Sequence, residues 1–247
     1  MKKTTKKILA IVLLLAIWQA AAMLIGQKLI LASPAEVIVR LFTLWKEPGF
    51  ASAIWFSFVR IAGGFLIAFI VGNLLAVLAG KHEWVEILLS PVMVTIKTVP
   101  VASFIIIALV WLTSGKLSVF ISFLMVLPVI YNNVLTGIKN IDYKMLQMAD
   151  VFRLSWNERF KYIWLPSIYP YLLSGTTIAL GMAWKAGVAA EVIGIPEGSI
   201  GEMLYNAKIY LNTADLFAWT VIIVIISVLF EKLFLYVLRK AYEGYCR

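Results

Sequence analysis

The chain is expected to be an all-α integral membrane protein: six transmembrane helices in a single membrane domain over residues 1–247. Three observations lead to that class. Apolar residues make up 62% of the 247 and mean hydropathy is +0.94, whereas a soluble domain sits nearer half apolar. Six apolar stretches are each long enough for a bilayer core, which takes about 20 residues at a rise of about 1.5 Å. Most of the basic residues fall between those stretches, in an asymmetric pattern that reads as topology.

The six spans are residues 8–25, 53–78, 84–112, 117–138, 168–193 and 216–238. Lys2, Lys3, Lys6 and Lys7 precede the first, a pattern shared with signal peptides. No good small-x-small cleavage site and soluble mature chain follow, so 8–25 is read as the first helix. With the N terminus inside, the cytoplasmic side carries Lys2, Lys3, Lys6, Lys7, Lys81, Lys139, Lys144, Arg153, Arg159, Lys161, Arg239, Lys240 and Arg247. The other side carries only Lys28, Arg40, Lys46, Lys116 and Lys208. Both termini are therefore expected in the cytoplasm of a multi-pass membrane protein. The net charge of +9 reads as topology and contact with anionic lipid of the bilayer, not nucleic-acid binding.

Between the first two spans, Ser33, Pro34 and Glu36 form a capping box with proline at the first helical position. Val37, Ile38, Leu41, Phe42 and Trp45 then line one face, which predicts an amphipathic helix over 34–45 at the outer membrane surface. In the second span Gly64, Ala68, Gly72, Ala76 and Gly80 recur every four residues, and Gly175, Ala179, Ala183 and Gly187 do so in the fifth. Such stripes let a neighbouring backbone come close. Pro91 and Pro100 flank Lys97 in the third span, and Pro128 interrupts the fourth ahead of Asn132 and Asn133. These spans are expected to bend or break, because proline removes a helical hydrogen bond.

The loop over 139–167 holds the stretch RLSWNERFKYIWLP at 153–166, with four charged residues. Residues 142–152 predict a short helix with Met145, Met148, Ala149 and Phe152 on one side. Ser155 and Glu158 repeat the capping box, predicting a second helix from Trp156 to about Trp164 that stops at Pro166. Ordering a charged loop costs on the order of 1–2 kcal/mol per residue, which docking on a partner protein would offset.

Here the residues resemble a known family. The loop is similar to the EAA loop of binding-protein-dependent ABC transporter permeases, whose pattern runs E-A-A-x-x-x-G, then about nine residues, then I-x-L-P. In this chain Gln147 stands for the glutamate, Met148 and Ala149 for the alanines, Asp150 follows, and Arg153 stands for the glycine. Leu165 and Pro166 complete the end. A glycine at 153 would supply a left-handed cap between the two helices; arginine either accepts about 1 kcal/mol of strain there or the turn is built another way.

Residues 31–37 (LASPAEV), 98–103 (TVPVAS), 183–194 (AWKAGVAAEVIG) and 198–201 (GSIG) look like the nitrate/sulfonate/taurine branch. The resemblance implies a permease working as a homodimer with a second copy. It also implies a cytoplasmic ABC ATPase dimer that binds the ATP, and an extracytoplasmic substrate-binding protein. The residues expected to couple to the ATPase are Gln147, Met148, Ala149, Asp150, Arg153, Ser155, Trp156, Arg159, Leu165 and Pro166.

Charges inside a membrane are costly, so Lys97 and Lys185 are candidates for a translocation path that attracts an anion; the alternative is a structural pair or a snorkelling side chain. Glu191, six residues from Lys185, shares no helix face with it; with Arg60, Glu231 and Lys232 it is assigned to structure or interfaces.

No G-x-x-x-x-G-K-[ST] occurs, so this chain has no P-loop of its own. The lone Cys246 excludes an internal disulfide or cysteine metal cluster, and the lone His82 reads as a loop residue. No paired carboxylates or histidine cluster mark a membrane enzyme. An ion-coupled secondary transporter is the competing class; it would show inverted repeats and intramembrane acids, and here the mid-span charges are basic. The expected function is an importer permease for a small polar solute, either a sulfonate-, taurine- or nitrate-like anion or a vitamin-precursor heterocycle.

Overall fold

The computed structural model describes residues 3–27 and 29–246. Lys2, Lys28 and Arg247, which enter the charge asymmetry above, lie outside the described residues, as do the side chains of Lys3 and Lys7. Eleven α-helices follow in chain order: α1 Lys3–Ile25, α2 Pro34–Leu44, α3 Phe50–Lys81, α4 Glu83–Thr98, α5 Val101–Ala108, α6 Ser114–Lys139, α7 Tyr143–Val151, α8 Trp156–Arg159, α9 Leu165–Gly194, α10 Ile200–Ile209 and α11 Thr213–Cys246. A π-helical turn, Phe160–Trp164, joins α8 to α9.

Among the described residues, five helical stretches are long and apolar enough to cross a membrane; α4 and α5 together give a sixth only as a pair bent by 102°. The break that the prolines of the third span led one to expect falls at Pro100, where Val99 and Pro100 are extended. Pro91 lies inside α4 and Pro128 inside an uninterrupted α6. At both of those sites the missing proline donor is tolerated within a helix flanked by neighbours, so proline alone did not decide where the chain breaks.

The middle of the bundle is α6, clasped between α3 and α9. The small-residue stripes explain the closeness. A Cβ added at Gly64 would lie 2.3 Å from the Val119 carbonyl oxygen, and one at Gly187 would lie 2.5 Å from Ser122 Oγ. Both stripes thus face the same helix, α6, from opposite sides. The Ser122 hydroxyl donates to the Ala183 carbonyl at 3.1 Å, a buried bond tying α6 to α9. On the far side of α3, Phe65 meets Phe234 edge-on at 4.9 Å and seats α11. By contrast α1 is exposed along nearly its whole length and touches the bundle through Trp18 on Phe217.

The capping box at Ser33 and Glu36 forms as the sequence predicts. The apolar face of α2 divides, however. Val37 and Leu44 are buried against the start of α11, while Ile38, Phe42 and Trp45 point away from the protein. Arg40 pairs with Asp215 of α11 and with Glu47, and these pairs draw one side of α2 inward.

Candidate functional site

The segment between α6 and α9 is an ordered two-helix elbow. Asp142 caps α7 by accepting from the Lys144 amide at 2.9 Å. Helix α7 then ends in a Schellman turn: the Arg153 amide donates to the Asp150 carbonyl at 3.1 Å and the Leu154 amide to the Ala149 carbonyl at 2.9 Å. Arg153 takes φ of 51°. The turn is therefore built as a glycine would build it, and the arginine sits in the left-handed conformation that costs an L-residue about 1 kcal/mol. Ala149 is the buried residue of α7.

Ser155 starts α8. Its hydroxyl accepts from the Glu158 amide at 3.4 Å, and its own amide donates to Glu158 Oε2 at 2.8 Å. The Ser155 hydroxyl, then its amide, hold the Glu158 carboxylate below its ordinary titration range. Arg159 braces the elbow from inside: it pairs with Asp150 at 2.7 Å and donates to the Leu154 carbonyl at 3.0 Å.

One expectation is corrected at Pro166. The helix begun at Trp156 does not stop there. It widens into a π turn, where the Leu165 amide reaches back to the Phe160 carbonyl, and continues into α9 with Pro166 in its first turn. The proline lacks only a donor, and the wider turn leaves room for its ring. Trp156–Gly194 is consequently one helical rod of 39 residues, about 58 Å long.

The elbow exposes apolar side chains: Val151, Phe152, Trp156 and Tyr162 are each more than half exposed. Gln147, Met148 and Asp150 are exposed beside them. Leu165 and Pro166 are half-buried where the rod leaves the elbow. Its base is fixed to the bundle by Ile163, which is buried, by Phe160 against Tyr245, and by Tyr169 stacked on Tyr242 at 3.7 Å. The elbow residues singled out from sequence are thus brought together. Lys97 and Lys185 belong to other parts of the bundle. Both are exposed, and neither joins any ion pair or hydrogen bond among the described residues.

Two polar clusters had no sequence signal as clusters. Glu191 is fully buried; its Oε2 accepts from the Ser57 hydroxyl at 2.6 Å and from the Gly201 amide at 3.3 Å, while Ser57 Oγ accepts from the Ile200 amide at 2.9 Å. Glu191 and Ser57 thereby cap the buried start of α10 from two other helices. Glu86 of α4 pairs with Lys139, the last residue of α6, at 2.5 Å. The charges were visible in the sequence; their partners, 134 and 53 residues away, were not.

These features define a class: a multi-span helical membrane protein in which the rod that ends in α9 extends into an exposed, braced elbow. Residues 64–243 match the family described as the binding-protein-dependent transport system inner membrane component. The chain belongs to that family and is a permease subunit of an importer of the nitrate/sulfonate/taurine branch. It is 27% identical to the aliphatic sulfonates transport permease protein SsuC of Bacillus subtilis over 97% of this chain and 89% of the relative. It is 31% identical to the nitrate import permease protein NrtB of Synechococcus elongatus, over 78% of this chain and 72% of that one. The taurine transport system permease protein TauC of Escherichia coli is 27% identical, over 89% and 82%.

Proposed function

We propose that the elbow is the coupling element of this permease, seated in a cleft of a separate cytoplasmic ATPase that binds and hydrolyses the ATP. On this reading both termini and the elbow are cytoplasmic, two copies of the chain pair, and an extracytoplasmic binding protein delivers the solute. The observation that carries the reading is the continuity of the elbow with α9. A displacement at Trp156 travels along one rod into the helix that clasps α6, with no slack loop between. The exposed apolar side chains of the elbow supply an interface core, and the aromatic and arginine residues supply its anchors. The cargo is a small anion of the kind named for the relatives: a sulfonate, taurine or nitrate.

Co-expression with the ATPase and capture on a tagged permease tests the reading. Trp156→Asp and Ser155→Pro should abolish ATPase capture while membrane insertion survives. Capture at the unsubstituted level with either variant would contradict the role.

A further inference from the structure

A pocket of about 80 Å³ opens between α4 and α6, lined by Glu86, Ser90, Lys97, Tyr131 and Asn132 among others. It continues along α4 into a second groove that shares Glu86 and Ser90 and ends at Lys139. The polar groove thus runs from Lys97 toward the end of the bundle that carries the elbow, over about 20 Å of α4.

Its donors are uncommitted. Tyr131 is 2% exposed, and its hydroxyl is buried in the wall with no partner. Lys97 and Ser90 make no hydrogen bond or ion pair among the described residues. Of the two acids along the groove, Glu86 is already paired with Lys139 at 2.5 Å, and Glu83 lines only the second groove, at its end away from Lys97. Asn132 spends its amide on the Pro128 carbonyl. What is left in the first pocket is one free cation and two free hydroxyls around a small volume. An orphaned buried hydroxyl is costly unless something occupies the space it faces.

We propose that Lys97, Tyr131 and Ser90 form a transit subsite for a small oxyanion, and that the α4–α6 groove is its water-filled route toward the elbow end. The inference rests on the permease reading above for its cargo and selects Lys97 over Lys185, which lines neither groove. The oxyanion would accept from the Lys97 ammonium and from both hydroxyls, each contact charge-assisted. A single charge in such a cleft raises the local concentration of the opposite charge about tenfold or more.

The chain's only cysteine is Cys246, so Cys246→Ser gives a thiol-free background in the full-length protein, reconstituted in liposomes. Ser90→Cys in that background should react with an anionic methanethiosulfonate about tenfold faster than with a cationic one. Nitrate at millimolar concentration should slow the reaction, and methylammonium should not. Lys97→Met should erase the preference, Lys97→Arg should keep it, and Lys185→Met should leave it unchanged. Val92→Cys, exposed on α4 away from the groove, should react with neither reagent. A thiol at 90 that neither reagent reaches, or a preference indifferent to Lys97, would overturn the subsite. These rates need neither ATPase nor binding protein, so they stand apart from the fate of the coupling reading.

Discussion

The Arg159 guanidinium lies 2.7 Å from the Asp150 carboxylate, joining the last turn of one elbow helix to the first turn of the next. Its second bond, to the Leu154 carbonyl at 3.0 Å, holds the turn between them. Both side chains are partly exposed, so the pair itself is worth on the order of 0–1 kcal/mol. Asp150→Ala should lower stability by about 0.5 kcal/mol, and Arg159→Ala by more, because it also frees the Leu154 carbonyl. Thermal melts in detergent check the order, and a double-mutant cycle isolates the ion pair. ATPase capture should fall far more than stability does, since the brace sets the elbow's shape.

The left-handed turns at Arg153 and Leu211 give a prediction of opposite sign. Leu211 has φ of 53° and closes a second Schellman turn, with the Asn212 amide on the Ala207 carbonyl at 2.8 Å. Arg153→Gly and Leu211→Gly should each stabilise the protein by about 1 kcal/mol. Arg153→Val should destabilise it. Melting temperatures of the purified variants decide the matter.

Adjacent glycines in α3 should behave differently. A Cβ at Gly64 would collide with the Val119 carbonyl, whereas one at Gly63 would meet nothing within 4 Å. Gly64→Ala should cost about 1–3 kcal/mol by forcing α3 off α6. Gly63→Ala should be neutral or gain up to about 1 kcal/mol from helix propensity. Equal losses at both positions would contradict the packing described.

Glu191→Ala would leave the Ser57 hydroxyl and the Gly201 amide unpaired in a buried place. A loss of about 2–3 kcal/mol is expected, together with faster hydrogen exchange at the start of α10. Glu191→Gln, which keeps an acceptor, should recover part of it.

The capping box at Ser155 should depend on pH in one direction. Because the folded Glu158 carboxylate titrates below its ordinary value, its contribution is present above the unfolded value and is lost as pH falls through the folded one. Exchange protection of the first turn of α8 should therefore persist at neutral pH and fade in acid. Glu158→Gln should abolish that dependence.

Local signals were legible in the sequence. Both serine capping boxes span four residues, so their chemistry is complete within about one turn of chain. The small-residue stripes also predicted close packing, but not that both would close on α6, because the facing surface belongs to a distant segment. Proline proved ambiguous. Pro100 sits at a break between helices, Pro128 lies within one, and Pro166 follows a π turn inside a continuous rod, and the difference lies in what surrounds the missing donor. The pairs Glu86–Lys139 and Ser57–Glu191 join residues that only the fold brings together. At Arg153 the sequence left two geometries open, and the backbone takes the strained one.

The coupling role of the elbow is tested most directly by a photo-reactive amino acid at Trp156 in the transporter assembled with its ATPase and turning over ATP. Val39, exposed on α2, serves as the reference position. Adducts with the ATPase from position 156 and none from position 39 are the expected result. Adducts from 156 confined to lipid, or equal yields from both positions, would contradict it.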